Sequence, residues 1–164
     1  MPSLNVRERA RGYWAALAEA GIAEDQVPFI LSRNDRLAVR AAMDTLMAGL
    51  LPKPTAILAM SDVIAIEAMD WLAEQGLRVP DDVSVVGFDG TPDAAAAVPG
   101  LTSVAQPYHL IAERAVAAIL NDNLPAEREV LPLSLVVRDS TGPCREMACT
   151  VPLGEAIIEG TPLV

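Results

Sequence analysis

Residues 79–92, VPDDVSVVGFDGTP, constrain the fold of this chain more than any other stretch. Positions 83–87 are small, apolar or β-prone, and they read as a short strand buried on both faces. A turn of Pro80, Asp81 and Asp82 precedes that strand. Gly87, Phe88, Asp89 and Gly90 follow it, a glycine-flanked turn that leaves one carboxylate at the strand's carboxyl end. A strand buried on both faces belongs in a parallel sheet covered by helices. Ligands of open α/β sheets bind outside the carboxyl ends of the strands, so Asp89 stands in a favourable place for a site.

The rest of the chain alternates helices and strands around this segment. Asn5 and Glu8 fit a capping box, with Asn5 as N-cap. Val6, Ala10, Tyr13, Leu17 and Ala18 follow at helical spacing, and Gly21 ends the helix. Residues 27–31 read as a strand. Asp35 opens a helix to about residue 48, with Ala38, Ala41, Ala42, Leu46 and Met47 as its buried stripe. Pro52 and Pro54 bound a linker, and 55–59 reads as the next strand. Ser61 or Asp62 then starts a helix that ends at Gly76. Residues 101–105 form a further strand, Pro107 suits the first turn of a helix to about 120, and 130–137 is the last strand. The pattern predicts an α/β fold, a mostly parallel sheet flanked by helices with right-handed crossovers. Residues 147–153 read as one more strand, and no element is legible beyond them.

Composition narrows the function classes. The 164 residues suffice for one domain with a real core, and 52% hydrophobic against 4% aromatic content makes that core one of Ala, Val, Leu and Ile. A net charge of −10 argues against a nucleic-acid surface, which needs clustered Lys and Arg. The one basic cluster, Arg7, Arg9 and Arg11, is surrounded by acidic residues. Cys144 and Cys149 have only His109 as a possible companion, so neither a structural zinc site nor any other metal site is expected. They read as reduced thiols, with a tail disulfide as the alternative. No signal peptide opens the chain, and no run approaches the roughly 20 apolar residues of a membrane span. The expected location is therefore the cytoplasm, away from membranes.

The chemistry lies just past the strands. The stretch 27–31 is followed by Arg33, Asn34 and Asp35, the stretch 55–59 by Ser61 and Asp62, the central strand by Asp89, and 101–105 by Gln106. Successive strands thus deliver polar side chains to one edge, which makes a polar small-molecule cleft. Such a set suits a polyol: a carboxylate accepts from neighbouring hydroxyls, arginine donates in a fixed fork, and glutamine does both. Phe88, Tyr13 and Trp14 are aromatic candidates for the apolar face of a sugar ring. Each residue also has a plainer reading. Asp89 suits a turn, Ser61 and Asp62 suit helix caps, Arg9 and Gln106 suit a solvated surface, and the aromatics suit a core. Arg33 and Asn34 read as loop residues.

The sequence GLRVPDDVSVVGFDGTPDAAAAVPGLTSVAQP at 76–107 resembles the signature segment of LacI/GalR transcriptional regulators. The similarity extends to PTAILAMSDVIAIEAM at 54–69, VRERARGYWAALAEAGI at 6–22 and LVVRDST at 135–141, covering about residues 4–141. The resemblance implies a partial periplasmic-binding-protein-like (type I) sensor domain over 1–141, mainly its C-terminal subdomain, followed by a tail of unknown role at 142–164. It implies effector contacts from Arg9, Ser61 with Asp62 beside it, Asp89 and Gln106, and Phe88 joins them as the aromatic next to Asp89. Ser61 stands where the family often has Asn. A dimer surface is implied at Ile66, Met69, Ala97 and Val98, with Glu67 in place of the family's usual Gly.

The implied function is binding of a sugar-like effector and homodimerisation in a regulator whose operator binding is controlled allosterically. Operator DNA would be reached only through a headpiece that this chain lacks, and the other sensor subdomain, on which the helix at 108–120 would pack, is expected to be missing too. The alternative is a fragment of a transport-type solute-binding protein. Catalysis is not expected, because Ser61 has no nucleophile elbow, His109 is the lone imidazole, and no P-loop or dinucleotide fingerprint occurs. No cofactor is expected either.

Overall fold

The computed structural model describes residues 4–48, 53–120 and 129–143. Four strands form one sheet in sequence order: β1 (Ala56–Leu58), β2 (Ser84–Asp89), β3 (Thr102–Ala105) and β4 (Ser134–Val136). β1–β2 and β2–β3 pair in parallel, and β4 closes the edge antiparallel to β3, with Val104 opposite Leu135. The helices are α1 (Leu4–Glu19), α2 (Arg36–Ala48), α3 (Asp62–Glu74), α4 (Pro92–Ala96) and α5 (Tyr108–Leu120). This is the expected mixed α/β architecture, mostly parallel and flanked by helices.

α3 is the helix on which the core is built. Ser61 caps it by accepting the Ile64 N–H, and Gly76 ends it at φ +73°, a backbone region that costs glycine little. Its inward face (Ala65, Ala68, Met69 and Leu72) packs with Val85 of β2, Leu101 and the α2 residues Val39, Met43 and Met47. Gly87 lets α3 approach β2 closely, since a Cβ there would lie 2.4 Å from Asp62 Oδ1 and 2.9 Å from Leu101 Cδ2. Leu72 has no exposed surface. Leu72→Ala should therefore cost about 2–5 kcal/mol through lost burial and the cavity left behind. A urea melt of both proteins checks this, and an unchanged midpoint would contradict it.

Several expectations shift. Residues 27–31 do not form a strand; they join no ladder among the described residues. Pro28 lacks a donor there, and β1, one edge of the sheet, is three residues long. The last strand shrinks to 134–136, and Pro132 removes a ladder donor just before it. Asn5 already lies inside α1, so it is not the N-cap. Asp35 does cap α2, accepting the Ala38 N–H at 3.0 Å. The buried stripe of α2 runs through Val39, Met43 and Met47, while Ala41 is exposed. α4 was not anticipated; Thr91 caps it and Pro92 fills its first position. The strand expected at 147–153, Cys144 and Cys149 lie outside the described residues.

Candidate effector site

Three chain segments meet at the carboxyl ends of β2 and β3. β2 ends in Phe88 and Asp89, and Asp89 is held at φ 122°, a conformation that L residues other than glycine rarely adopt. The Asp89 carbonyl accepts the Gln106 N–H at 3.1 Å, which locks the two strand ends together. The Gln106 side chain turns back, and its Nε2 donates to Asp89 Oδ1 at 2.7 Å and to the Tyr108 hydroxyl at 3.1 Å. Partial burial and then the Asp89 charge push the Tyr108 phenol up, so it stays a neutral hydroxyl at physiological pH.

α1 brings the cation. Arg9 Nη2 donates to Asp89 Oδ1 at 3.2 Å, and Nη1 donates to the Met60 carbonyl at 2.5 Å. The guanidinium carbon lies 3.7 Å from the centroid of the Phe88 ring, so one face of the cation is covered by an aromatic. Arg9 and Asp89 are each about one-fifth exposed, at 19% and 21% of their side-chain surface. Among the described residues both side-chain donors to the Asp89 carboxylate use Oδ1, and Oδ2 accepts none. Ser61 Oγ both caps α3 and lies 3.4 Å from Asn34 Oδ1. Arg9, Asn34, Ser61 and Asp89 are among the residues that line a cavity of about 380 Å³. The arrangement offers a carboxylate oxygen, a guanidinium and a hydroxyl within one partly dry opening, which is hydrogen-bonding chemistry for a small polyol.

Residues 3–141 match the family of periplasmic binding protein-like domains. This chain belongs to that family. A curated relative is the HTH-type transcriptional regulator DegA of Bacillus subtilis, 37% identical over 84% of this chain and 41% of its own length. The chain thus spans about two-fifths of that relative. Among solved structures, the transcriptional regulator CelR–cellobiose complex is 36% identical with a TM-score of 0.70, over 81% of this chain and 42% of that one. A LacI family transcriptional regulator from Enterococcus faecium with bound ribose is 26% identical with a TM-score of 0.77, over 88% and 54%. Similar proteins include transcriptional regulators, and similar structures include LacI family transcriptional regulators, as the resemblance in its motifs implied.

Within this periplasmic binding protein-like domain the anticipated site residues separate into groups. Arg9, Phe88, Asp89 and Gln106 come together, and Ser61 reaches the same cavity. Asp62 does not face it. Its side chain is fully buried, and its carboxylate accepts from the Ser103 hydroxyl at 2.5 Å, the Thr91 N–H at 2.7 Å and the Thr91 hydroxyl at 3.0 Å. Ser103 Oγ in turn accepts the Gly90 N–H at 3.1 Å. Asp62 therefore supports the turn beside Asp89 and has no surface to offer a ligand. Asn34, read from the sequence as a loop residue, lies on the cavity wall; its position just past an apolar stretch was the available signal. Tyr13 lines the cavity too, and Trp14 packs between Tyr13 and Phe29 with ring centroids 4.9 and 5.6 Å away.

The anticipated dimer residues are placed unevenly. Val98 is 96% exposed, while Ile66 and Ala97 are half-buried and share a depression with Val63. Met69 is buried in the core, so it supports that face from beneath and does not form it. Glu67 is paired within the chain, 3.0 Å from Arg40 and 3.3 Å from Arg36, so much of its charge is neutralised by α2. Among the described residues no cluster of His, Cys, Asp and Glu could hold a metal ion, and no helix is long and apolar enough to cross a membrane.

Proposed function

We propose that this chain is the effector-binding part of a LacI/GalR-type transcriptional regulator, and that its effector is a sugar or sugar derivative. The observation that carries the reading is Asp89, held at a positive φ, ligated on one oxygen by Arg9 and Gln106 from two other segments, with its second oxygen unclaimed among the described residues. Such a carboxylate is ready to accept a pair of ligand hydroxyls. The cellobiose and ribose complexes of the similar structures support the ligand class. In the complete regulator, which works in the cytoplasm as a homodimer paired through the Ile66, Ala97 and Val98 face, effector binding favours one orientation of the sensor. That bias changes operator affinity at a separate DNA-binding segment, by no more than the effector's differential affinity for the two states. The domain itself carries out no catalysis.

The test is thermal unfolding of the chain against a panel of sugars and sugar phosphates. A ligand present at 100 times its Kd stabilises the folded state by about 2.7 kcal/mol. At least one compound should raise the melting temperature in the native chain and fail to do so in Asp89→Asn. A panel without a single shift would overturn the reading.

A further inference from the structure

A glutamine side chain can both donate and accept, but the fold leaves Gln106 only one of those roles. Both hydrogens on its Nε2 are spent inside the protein, one on Asp89 Oδ1 at 2.7 Å and one on the Tyr108 hydroxyl at 3.1 Å. Among the described residues its amide oxygen has no partner, and neither has Asp89 Oδ2, so both remain as acceptors. A ligand hydroxyl that donates to either one still has lone pairs to satisfy, and the β3 side of the site needs a donor for them. Tyr108 has one. Its oxygen accepts from Gln106, and among the described residues its own proton has no acceptor. The residue is 51% exposed, yet both its ends are held: the hydroxyl by Gln106 Nε2, and the backbone N–H by the Gln106 carbonyl at 2.9 Å. Partial burial and the Asp89 charge keep the proton on the phenol at physiological pH. A donor already held in place loses less freedom on binding than a loose surface side chain.

Resting on the sugar-binding reading above, we infer that Tyr108 is an effector-binding residue, donating its phenol proton to a ligand oxygen whose own proton goes to Asp89 Oδ2 or Gln106 Oε1. Such a site selects a free hydroxyl at that position. An ether oxygen there accepts from Tyr108 but has no proton for the carboxylate or the amide, and a deoxy carbon offers neither.

The experiment is titration calorimetry on the full chain with ribose, glucose, galactose and cellobiose and with their monodeoxy forms. Tyr108→Phe keeps the ring and removes only the hydroxyl. A parent sugar that binds the native chain should bind this variant about three- to tenfold more weakly, the size of one neutral hydrogen bond. For one of its deoxy forms the two proteins should bind alike, because the hydroxyl that Tyr108 meets is already gone; for the other deoxy forms the loss should persist. A loss that is the same for every deoxy form means that Tyr108 only steadies Gln106, and it overturns the inference. Equal binding of the parent by variant and native chain overturns it too. A second readout needs no change at Tyr108. The chain has two tyrosines, so a protein labelled with ¹³C at tyrosine Cζ gives two signals, and Tyr13→Phe identifies that of Tyr108. That signal should shift on saturation with the parent sugar, and an unmoved signal overturns the inference while sugar binding stands. No binding by any parent sugar overturns the sugar reading itself, and the inference with it.

Discussion

Asp62→Ala is expected to lower the unfolding free energy by roughly 3–5 kcal/mol, because it leaves several buried donors without an acceptor. The Ser103 hydroxyl, the Thr91 N–H and the Thr91 hydroxyl all end on this carboxylate, and the side chain has no contact with solvent. Domains of this size are stable by only about 5–15 kcal/mol, so much of that margin would go. Asp62→Asn keeps the shape and can still accept from Thr91 on one side. Its amide then meets Ser103, whose hydroxyl must turn, and the expected cost is smaller, about 1–2 kcal/mol. Urea melts of the three proteins give the order native, Asn, Ala in falling midpoint. Equal midpoints for Ala and native would mean that the network contributes nothing to stability. The same network steadies the Gly90 N–H through Ser103, so the Asn protein should also bind effector more weakly than the native one.

Substitutions at Asp89 should separate ligand affinity from backbone strain. Asp89→Asn retains one acceptor and loses the charge that Arg9 and Gln106 point at. The expected fall in effector affinity is about 100-fold, since hydrogen bonds to a charged group contribute about 1.5–3 kcal/mol each. Asp89→Ala and Asp89→Gly both remove the carboxylate, and both should abolish detectable binding. They should differ in stability. At φ 122° alanine keeps the strain of the native backbone, about 1–3 kcal/mol, and glycine releases it. The glycine variant should therefore melt above the alanine variant, while calorimetry finds neither able to bind. If alanine melts at or above glycine, the unusual backbone is not strained and needs no functional account.

Much of this arrangement is legible in local sequence. The run at 83–87 marks a strand, and β2 forms at Ser84–Asp89, starting one residue later and reaching two residues further; its burial alternates, with Val85 and Gly87 buried and Ser84 and Val86 half-buried, so the expected burial on both faces is only partial. Ser61 three residues before Ile64 marks a helix start, and its hydroxyl does accept that N–H. The row of polar residues past the strand ends follows from the alternation of elements, and Ser61, Asp89 and Gln106 lie on that edge. Motif resemblance supplied Arg9, which periodicity alone leaves as one charge among several on α1.

Other features have no local signature. Ser61 and Asp62 are consecutive and chemically similar as caps, yet one lines the cavity and the other is buried against Ser103, 41 positions away. Only the approach of α3 to β2 over Gly87 decides which way each points. Residues 27–31 have strand composition, but a strand exists only where a partner edge presents its hydrogen bonds, and Pro28 and a three-residue neighbour do not provide that. By itself, then, the amino-acid order determined which segments are helices and strands and which polar groups reach the sheet edge, because caps, turns and hydrophobic period act over a few residues. The tertiary structure alone decided which of those groups line the cavity and which are buried, because side-chain direction depends on contacts between segments as far apart as Arg9 and Asp89, 80 positions along the chain.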